Sequence, residues 1–140
     1  MVKFAYTLQY MNIKLIDIPK IENVLGNIAY IENDIVPFEV KRVYYLYDIP
    51  SYAKRGGHSH KNLLQVLIAI SGSFDVILKD GKTENIVTLN KPDKGLLITN
   101  NTWRELENFS SGAVCLVLAS DVFNEDDYIR DYQVFLNIKK

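Results

Sequence analysis

The chain has 140 residues and a mass of 16.1 kDa, enough for one domain with a sizeable core and too little for two of ordinary size. With 48% hydrophobic and 11% aromatic residues it is too apolar for a disordered tail, and 16 basic against 17 acidic residues leave a net charge of -1, which gives no support to nucleic-acid binding or to a polybasic membrane surface. No apolar run approaches the ~20 residues a membrane helix needs, and the first ten residues do not read as a secretory signal.

Residues 1–10 read as an N-terminal extension ahead of a single domain, 11–140, with Met11 itself a possible start. Within that domain Tyr, Phe, Val and Ile recur in short runs separated by turn residues, the pattern of strands. Val40–Tyr47 is the first such run. Leu63–Ile70 is continuously apolar apart from Gln65 and closes on Ser71-Gly72-Ser73. Phe74–Leu78 and Thr83–Leu89 flank Lys79-Asp80-Gly81-Lys82, a hairpin signal with Asp-Gly at its centre. Leu96–Thr99 follows the turn Lys91–Gly95, and Ala113–Leu118 is a last buried strand. Short strands at regular spacing predict an all-β sandwich, barrel or jelly roll. Asn124–Leu136 alone reads as helix: acids cluster at its start, and Tyr128, Tyr132 and Phe135 fall on one face. The lone cysteine, Cys115, excludes an intrachain disulfide and a multi-Cys zinc site; it reads as a core residue of a cytoplasmic protein.

The only two histidines stand together in Arg55-Gly56-Gly57-His58-Ser59-His60. In a strand, residues two apart share a face, so His58 and His60 present two imidazoles side by side. The glycine pair lets the backbone turn tightly or approach a ligand. Four residues separate His60 from Gln65, and six separate Gln65 from Gly72. This spacing resembles the cupin-barrel motif of His-x-His, four residues, Glu, six residues, Gly, with Gln65 in place of the metal-binding Glu. In the second cupin motif, opened here by Gly95, Arg104 stands where the third metal-binding His is expected, by its spacing from Asn108. Gln is a weak ligand and Arg only donates hydrogen bonds, so a cupin-type jelly-roll pocket without a catalytic metal is expected. Two metal-free imidazoles suit proton transfer near neutral pH, and enolisation beside a carbonyl is the reaction class this favours, with Arg55 and Arg104 as candidate oxyanion stabilisers. Arg42, Lys54, Arg55, Lys61 and Arg104 are candidates for phosphate recognition; for Lys54 and Lys61 the plainer reading is a solvated surface charge. Tyr44, Tyr45 and Tyr47 are suited to stacking on a base or bonding a sugar hydroxyl, or to packing.

From about Gly26 to Phe135 the chain resembles the nucleotide-linked sugar 3,4-ketoisomerases, small cupins that act on dTDP-4-keto-6-deoxyglucose. The resemblance rests on Lys41–Tyr45, Arg55–Lys61, Gln65–Leu67, Gly95-Leu96, Trp103–Glu105, Val117–Ser120 and Asp126–Tyr132. It implies that the keto group moves from C4 to C3 through an enediol, without metal or cofactor. His58 matches the base that takes the C3 proton and passes it towards C4, and His60 matches a relay for the hydroxyl protons. Substrate-binding residues are expected at Arg42, Tyr44, Arg55, Lys61, Gln65, Trp103 and Arg104. The resemblance further implies a homodimer that exchanges N-terminal strands, and a product aminated at C3 by a PLP-dependent aminotransferase and then acylated for O-antigen and other lipopolysaccharide, S-layer or antibiotic glycans. Two positions bear on stereochemistry: Leu25 stands where some relatives carry Arg or Tyr, and Arg104 where relatives carry His or Arg. The Arg form resembles members making the gluco rather than the galacto product. The competing readings are a dTDP-sugar 3,5-epimerase, a metal-dependent cupin such as a dioxygenase, and a non-catalytic sugar-binding cupin.

Overall fold

Alternation along the strands decides this architecture, because successive side chains of a strand serve opposite faces. A computed structural model of the chain describes residues 13–140; the expected extension, residues 1–10, lies outside the described residues. The elements in order are β1 (Lys14–Asp17), β2 (Lys20–Ile21), β3 (Ile28–Ala29), β4 (Arg42–Leu46), β5 (Arg55–His60), β6 (Gln65–Ser71), β7 (Phe74–Lys79), β8 (Glu84–Leu89), β9 (Lys94–Ile98), β10 (Trp103–Glu107), β11 (Val114–Ala119), β12 (Tyr128–Ile129) and α1 (Tyr132–Lys139). One five-stranded antiparallel sheet runs β1-β9-β6-β11-β4 and a second runs β12-β5-β10-β7-β8, while β2 and β3 pair separately. Both large sheets feed one core. Leu67, Ala69, Leu96, Ile98, Cys115 and Val117 come from the first, and Phe74, Val76, Leu78, Leu89 and Leu106 from the second. This is the expected all-β, cupin-type jelly roll with a short C-terminal helix.

Strand β6 explains the unbroken apolar run around it. Gln65, Leu67 and Ala69 face the other sheet, whereas Val66 and Ile68 face outward and are covered by Ile18 and Val36. A strand buried on both faces cannot alternate apolar with polar residues. Val66, Leu67 and Ile68 each contribute about 1.5–3 kcal/mol by leaving water. The turn after β6 requires Gly72, whose φ is +67°: a Cβ there would lie 2.4 Å from Ser110 Oγ, the atom that accepts the Ser73 N–H. Asp80 closes the β7–β8 hairpin by accepting from the Lys82 and Thr83 amides. Cys115 is fully buried, and burial pushes its thiol up to about 12, so it is a core residue without thiolate reactivity.

The C-terminal region departs from the single helix predicted over Asn124–Leu136. Asn124 caps a 3-10 turn, Glu125–Asp127; β12 then pairs with β5; and α1 starts afresh behind Asp131, whose carboxylate accepts from the Gln133 and Val134 amides. The helical face is therefore broken. Tyr132 and Phe135 pack on Trp103, but Tyr128 belongs to a strand. Hydrogen bonding outside the segment overrides its local propensity: Asp127 binds the 62–63 backbone, and Tyr128-Ile129 extend the second sheet. No helix of the described residues is long and apolar enough to cross a membrane.

Candidate functional site

The site grows out of an irregularity in β5. His58 lies opposite Arg104 and Gly56 opposite Glu105, so Gly57 is an extra residue, a β-bulge. Gly56 and Gly57 take φ of +83° and +70°, and a Cβ on Gly56 would meet the Arg104 carbonyl oxygen at 3.1 Å. Arg55 and His58 are three residues apart, and an unbroken strand would send them to opposite faces; across the bulge both line the same cleft. Beyond the bulge alternation resumes. His58 and His60 share a face, with ring centroids 4.8 Å apart and planes at 86°. Strand β12 places Tyr128 opposite His60, and its ring lies 4.9 Å from His58 and 4.3 Å from His60.

The facing wall comes from the first sheet, with Arg42 and Tyr44 on β4 and Gln65 on β6. The resulting cleft, about 360 Å³, is lined by Arg42, Tyr44, Arg55, His58, Gln65 and Arg104 among others. A smaller hollow of about 140 Å³ on the far side of Arg42 and Tyr128 is lined by His60, Asn62, Ser120 and Phe123. Arg130, held by both oxygens of Glu125 at 2.6 and 2.8 Å, lies 4.1 Å above the Tyr128 ring at the edge of the cleft.

Hydrogen bonds fix the polar groups. Arg104, only 2% exposed, donates from Nη1 to Gln65 Oε1 at 2.5 Å and from Nε and Nη2 to the Thr102 carbonyl. Gln65 Nε2 in turn donates to the Tyr44 hydroxyl at 3.0 Å. His60, fully buried, meets Asp127 Oδ2 through Nδ1 at 3.2 Å, while Asp127 also accepts the Asn62 and Leu63 amides. The carboxylate only accepts, so the imidazole hydrogen sits on Nδ1 and Nε2 carries the lone pair. His60 Nε2 and His58 Nδ1 are both buried without a hydrogen-bond partner.

Burial holds both imidazoles down to about 3, helped by the Arg104 cation, and each is therefore neutral near pH 7. The contact of His60 with Asp127 is thus a hydrogen bond from a neutral ring rather than an ion pair. Burial also brings the Arg104 guanidinium down to about 10, where it remains a cation at neutral pH. A divalent metal does not fit this donor set. Arg104 turns N–H groups towards Gln65 on the wall where cupins place a ligand, and among the described residues no group of three or more His, Cys, Asp or Glu could hold an ion.

Of the residues singled out in the sequence, Arg42, Tyr44, Arg55, His58, His60, Gln65 and Arg104 line these two hollows, which share Arg42 and Tyr128. Trp103 and Lys61 do not. Trp103 neighbours Arg104 on β10 and so faces the other side, where it packs beneath α1 against Tyr132 and Phe135 and donates from Nε1 to Glu105. Lys61 lies beyond the end of β5 with its side chain exposed. Lys54 is exposed and paired with Glu107, and Leu25, 95% exposed, lines neither hollow. Residue-level reading missed Asp127, Tyr128, Arg130 and Phe123. The signal available for the first three was the Asp126–Tyr132 match, which the helical reading turned away from the histidines.

Comparison with known proteins shows what the whole chain is similar to. The family model described as FdtA, WxcM-like, C-terminal, matches residues 11–140. A TDP-4-oxo-6-deoxy-alpha-D-glucose-3,4-oxoisomerase from Aneurinibacillus thermoaerophilus is 44% identical over 126 residues, 89% of this chain and 91% of the relative. Among solved structures, the WlaRB TDP-quinovose 3,4-ketoisomerase from Campylobacter jejuni is 50% identical with a TM-score of 0.86, covering 91% of this chain and 99% of that one. A variant of the QdtA 3,4-ketoisomerase from Thermoanaerobacterium thermosaccharolyticum, in complex with TDP-4-keto-6-deoxyglucose, is 41% identical with a TM-score of 0.91, covering 94% and 96%.

Proposed function

The chain belongs to the FdtA family and is a sugar 3,4-ketoisomerase, and from that premise we propose that His58 and His60 move protons around the keto group of dTDP-4-keto-6-deoxyglucose without a metal. The observation that carries this reading is the pair of neutral imidazoles, 4.8 Å apart, His58 lining the larger hollow and His60 the smaller, each with a buried nitrogen left unpartnered. A neutral ring can accept a proton at working pH, and enclosure strengthens its electrostatic coupling to a developing charge.

The reaction balances without an external oxidant. His58 removes the C3 proton while O4 gains one, giving a 3,4-enediol. Loss of the O3 proton and delivery of a proton to C4 then give the 3-keto sugar. His60 relays between the two hydroxyl positions, with its tautomer set by Asp127. Arg104 and Arg55 stabilise negative charge on oxygen. Arg42 and Arg55 suit the diphosphate, and Tyr128 and Phe123 offer aromatic faces to the nucleotide end. The gluco product is favoured by Arg104 at its position, and it is the configuration of quinovose, for which the Campylobacter jejuni relative is named. Amination at C3 and acylation for a surface glycan such as O-antigen would follow in the cytoplasm.

The assembly we propose is a homodimer of single-domain chains exchanging N-terminal strands. Its support is the edge strand β4, whose outward Val43 and Tyr45 are 57% and 60% exposed, together with the exposed Ile21 and Ile28 of β2 and β3.

An NMR time course in deuterated water with dTDP-4-keto-6-deoxyglucose tests the function. A keto group at C3 with deuterium at C4 is expected, and the coupling pattern at C4 reports its configuration. Deuterium at C5 with the keto group still at C4 would instead mean 3,5-epimerisation.

A further inference from the structure

The hydrogen bonds joining the two sheets have a direction as well as a location. Arg104 has no acceptor atom, so the Gln65 side chain must present Oε1 to it, and at 2.5 Å it does. That choice leaves Nε2 for Tyr44, which it meets at 3.0 Å. The Tyr44 oxygen therefore accepts, and its own hydrogen must go elsewhere. Each step follows from the one before, and the first is imposed by a cation that is 2% exposed and tied to the Thr102 carbonyl by its other nitrogens. Gln65, itself 2% exposed, has no freedom to turn over. Tyr44 lines the same cleft as His58, and among the described residues its hydroxyl donates to no protein acceptor, which leaves its hydrogen to the cleft.

We propose that Arg104 and Gln65 act as positioning residues that make Tyr44 an obligate hydrogen-bond donor to the oxygen that becomes negative during enolisation. This rests on the ketoisomerase reading and deepens it. A carboxylate at position 65 would satisfy Arg104 equally well but would reverse the next bond: its second oxygen would accept the Tyr44 hydrogen and turn it away from substrate. Shape and burial are nearly unchanged between the two side chains, so polarity is the variable.

The experiment compares wild type, Gln65→Glu, Tyr44→Phe and the double variant, with turnover read by NMR and dTDP affinity by calorimetry. Loss of one preorganised donor lowers kcat on the order of 100-fold. Gln65→Glu and Tyr44→Phe are each expected to show such a fall, with KM and dTDP affinity within about threefold, because the interaction is made in the transition state. The double variant is expected to be no slower than Tyr44→Phe alone, since both changes remove the same hydrogen bond. A structural role for Gln65 would not produce that non-additivity. Losses that multiply in the double variant, or an unchanged kcat in Gln65→Glu, would overturn the proposal. Should Gln65→Glu fail to fold, Tyr44→Phe decides: an unchanged kcat overturns the proposal and a fall in kcat at constant KM supports it. Absence of wild-type turnover would overturn the ketoisomerase reading and this inference together, whereas wild-type turnover with an indifferent Gln65→Glu would overturn this inference alone.

Discussion

The space between the sheets has two ends with opposite chemistry. At one end Phe74 and Phe109 stack at 5.4 Å amid Val76, Leu89 and Ala113, and the interior is filled with hydrocarbon. At the other, β5, β6 and β10 turn His58, His60, Gln65 and Arg104 inward, and the sheets part around a cleft. Strand β10 shows the change within three residues, from Arg104 to Leu106 on one face. The apolar end supplies stability, and the polar end holds desolvated groups that favour chemistry over packing. Burying them is tolerable because each is hydrogen-bonded or kept neutral.

The sharpest way to break this division is at the polar end. His58→Ala is expected to fold and bind dTDP normally while kcat falls on the order of 10³- to 10⁴-fold, since a general base is lost; full turnover in this variant would remove His58 from the chemistry. At the apolar end Phe74→Ala is expected to cost about 3–5 kcal/mol of stability in urea unfolding, with little change in turnover per folded molecule. If Phe74→Ala lost activity but not stability, the two ends would not be separate. His60→Ala is expected to retain more activity than His58→Ala, a drop of about 10- to 100-fold, and a loss equal to that of His58→Ala would argue against a mere relay.

A pH series sharpens the comparison further. In the folded chain both imidazoles sit near 3, against 6.5 in an open chain. As the pH falls from 6.5 towards 3 the unfolded state takes up protons the folded state refuses. Stability contributed by neutrality is thus complete above about 6.5 and declines below it, by up to about 1.4 kcal/mol per histidine per pH unit. Urea midpoints should therefore fall on acidification, and His60→Asn should flatten that slope; an equal slope in the variant would contradict the burial argument. The same depression predicts a kcat/KM profile with no inflection near 6.5. The smallest effect is expected from Trp103→Phe, a modest loss of stability with unchanged KM, measured by thermal unfolding and steady-state assay.

The parts legible in the sequence share one property: they depend on spacing along a single strand or turn. The run through β6, the Asp80-Gly81 hairpin and the facing of His58 with His60 are of this kind. What the sequence hid depends on pairing between distant segments. Asp127 reaches the His60 ring and the Asn62 and Leu63 amides across more than sixty residues, and no local pattern reports those contacts. Acids at a helix start look the same as an acid that anchors a remote loop, and so the local pattern around Tyr128 predicts helix where the structure has strand. Trp103 illustrates a different failure. A motif match selects a stretch of chain, but adjacent strand residues face opposite ways, so only one of Trp103 and Arg104 could enter the cleft.

The bulge at Gly57 reaches beyond this one chain. Odd spacing between Arg55 and His58 is compatible with a shared cavity only because one residue stands outside the ladder. Such a device lets the set of cations lining the cleft vary by insertion or deletion of a single codon, with no side chain replaced. Alignments that treat a gap at this point as neutral would overlook a change in which residues greet the ligand.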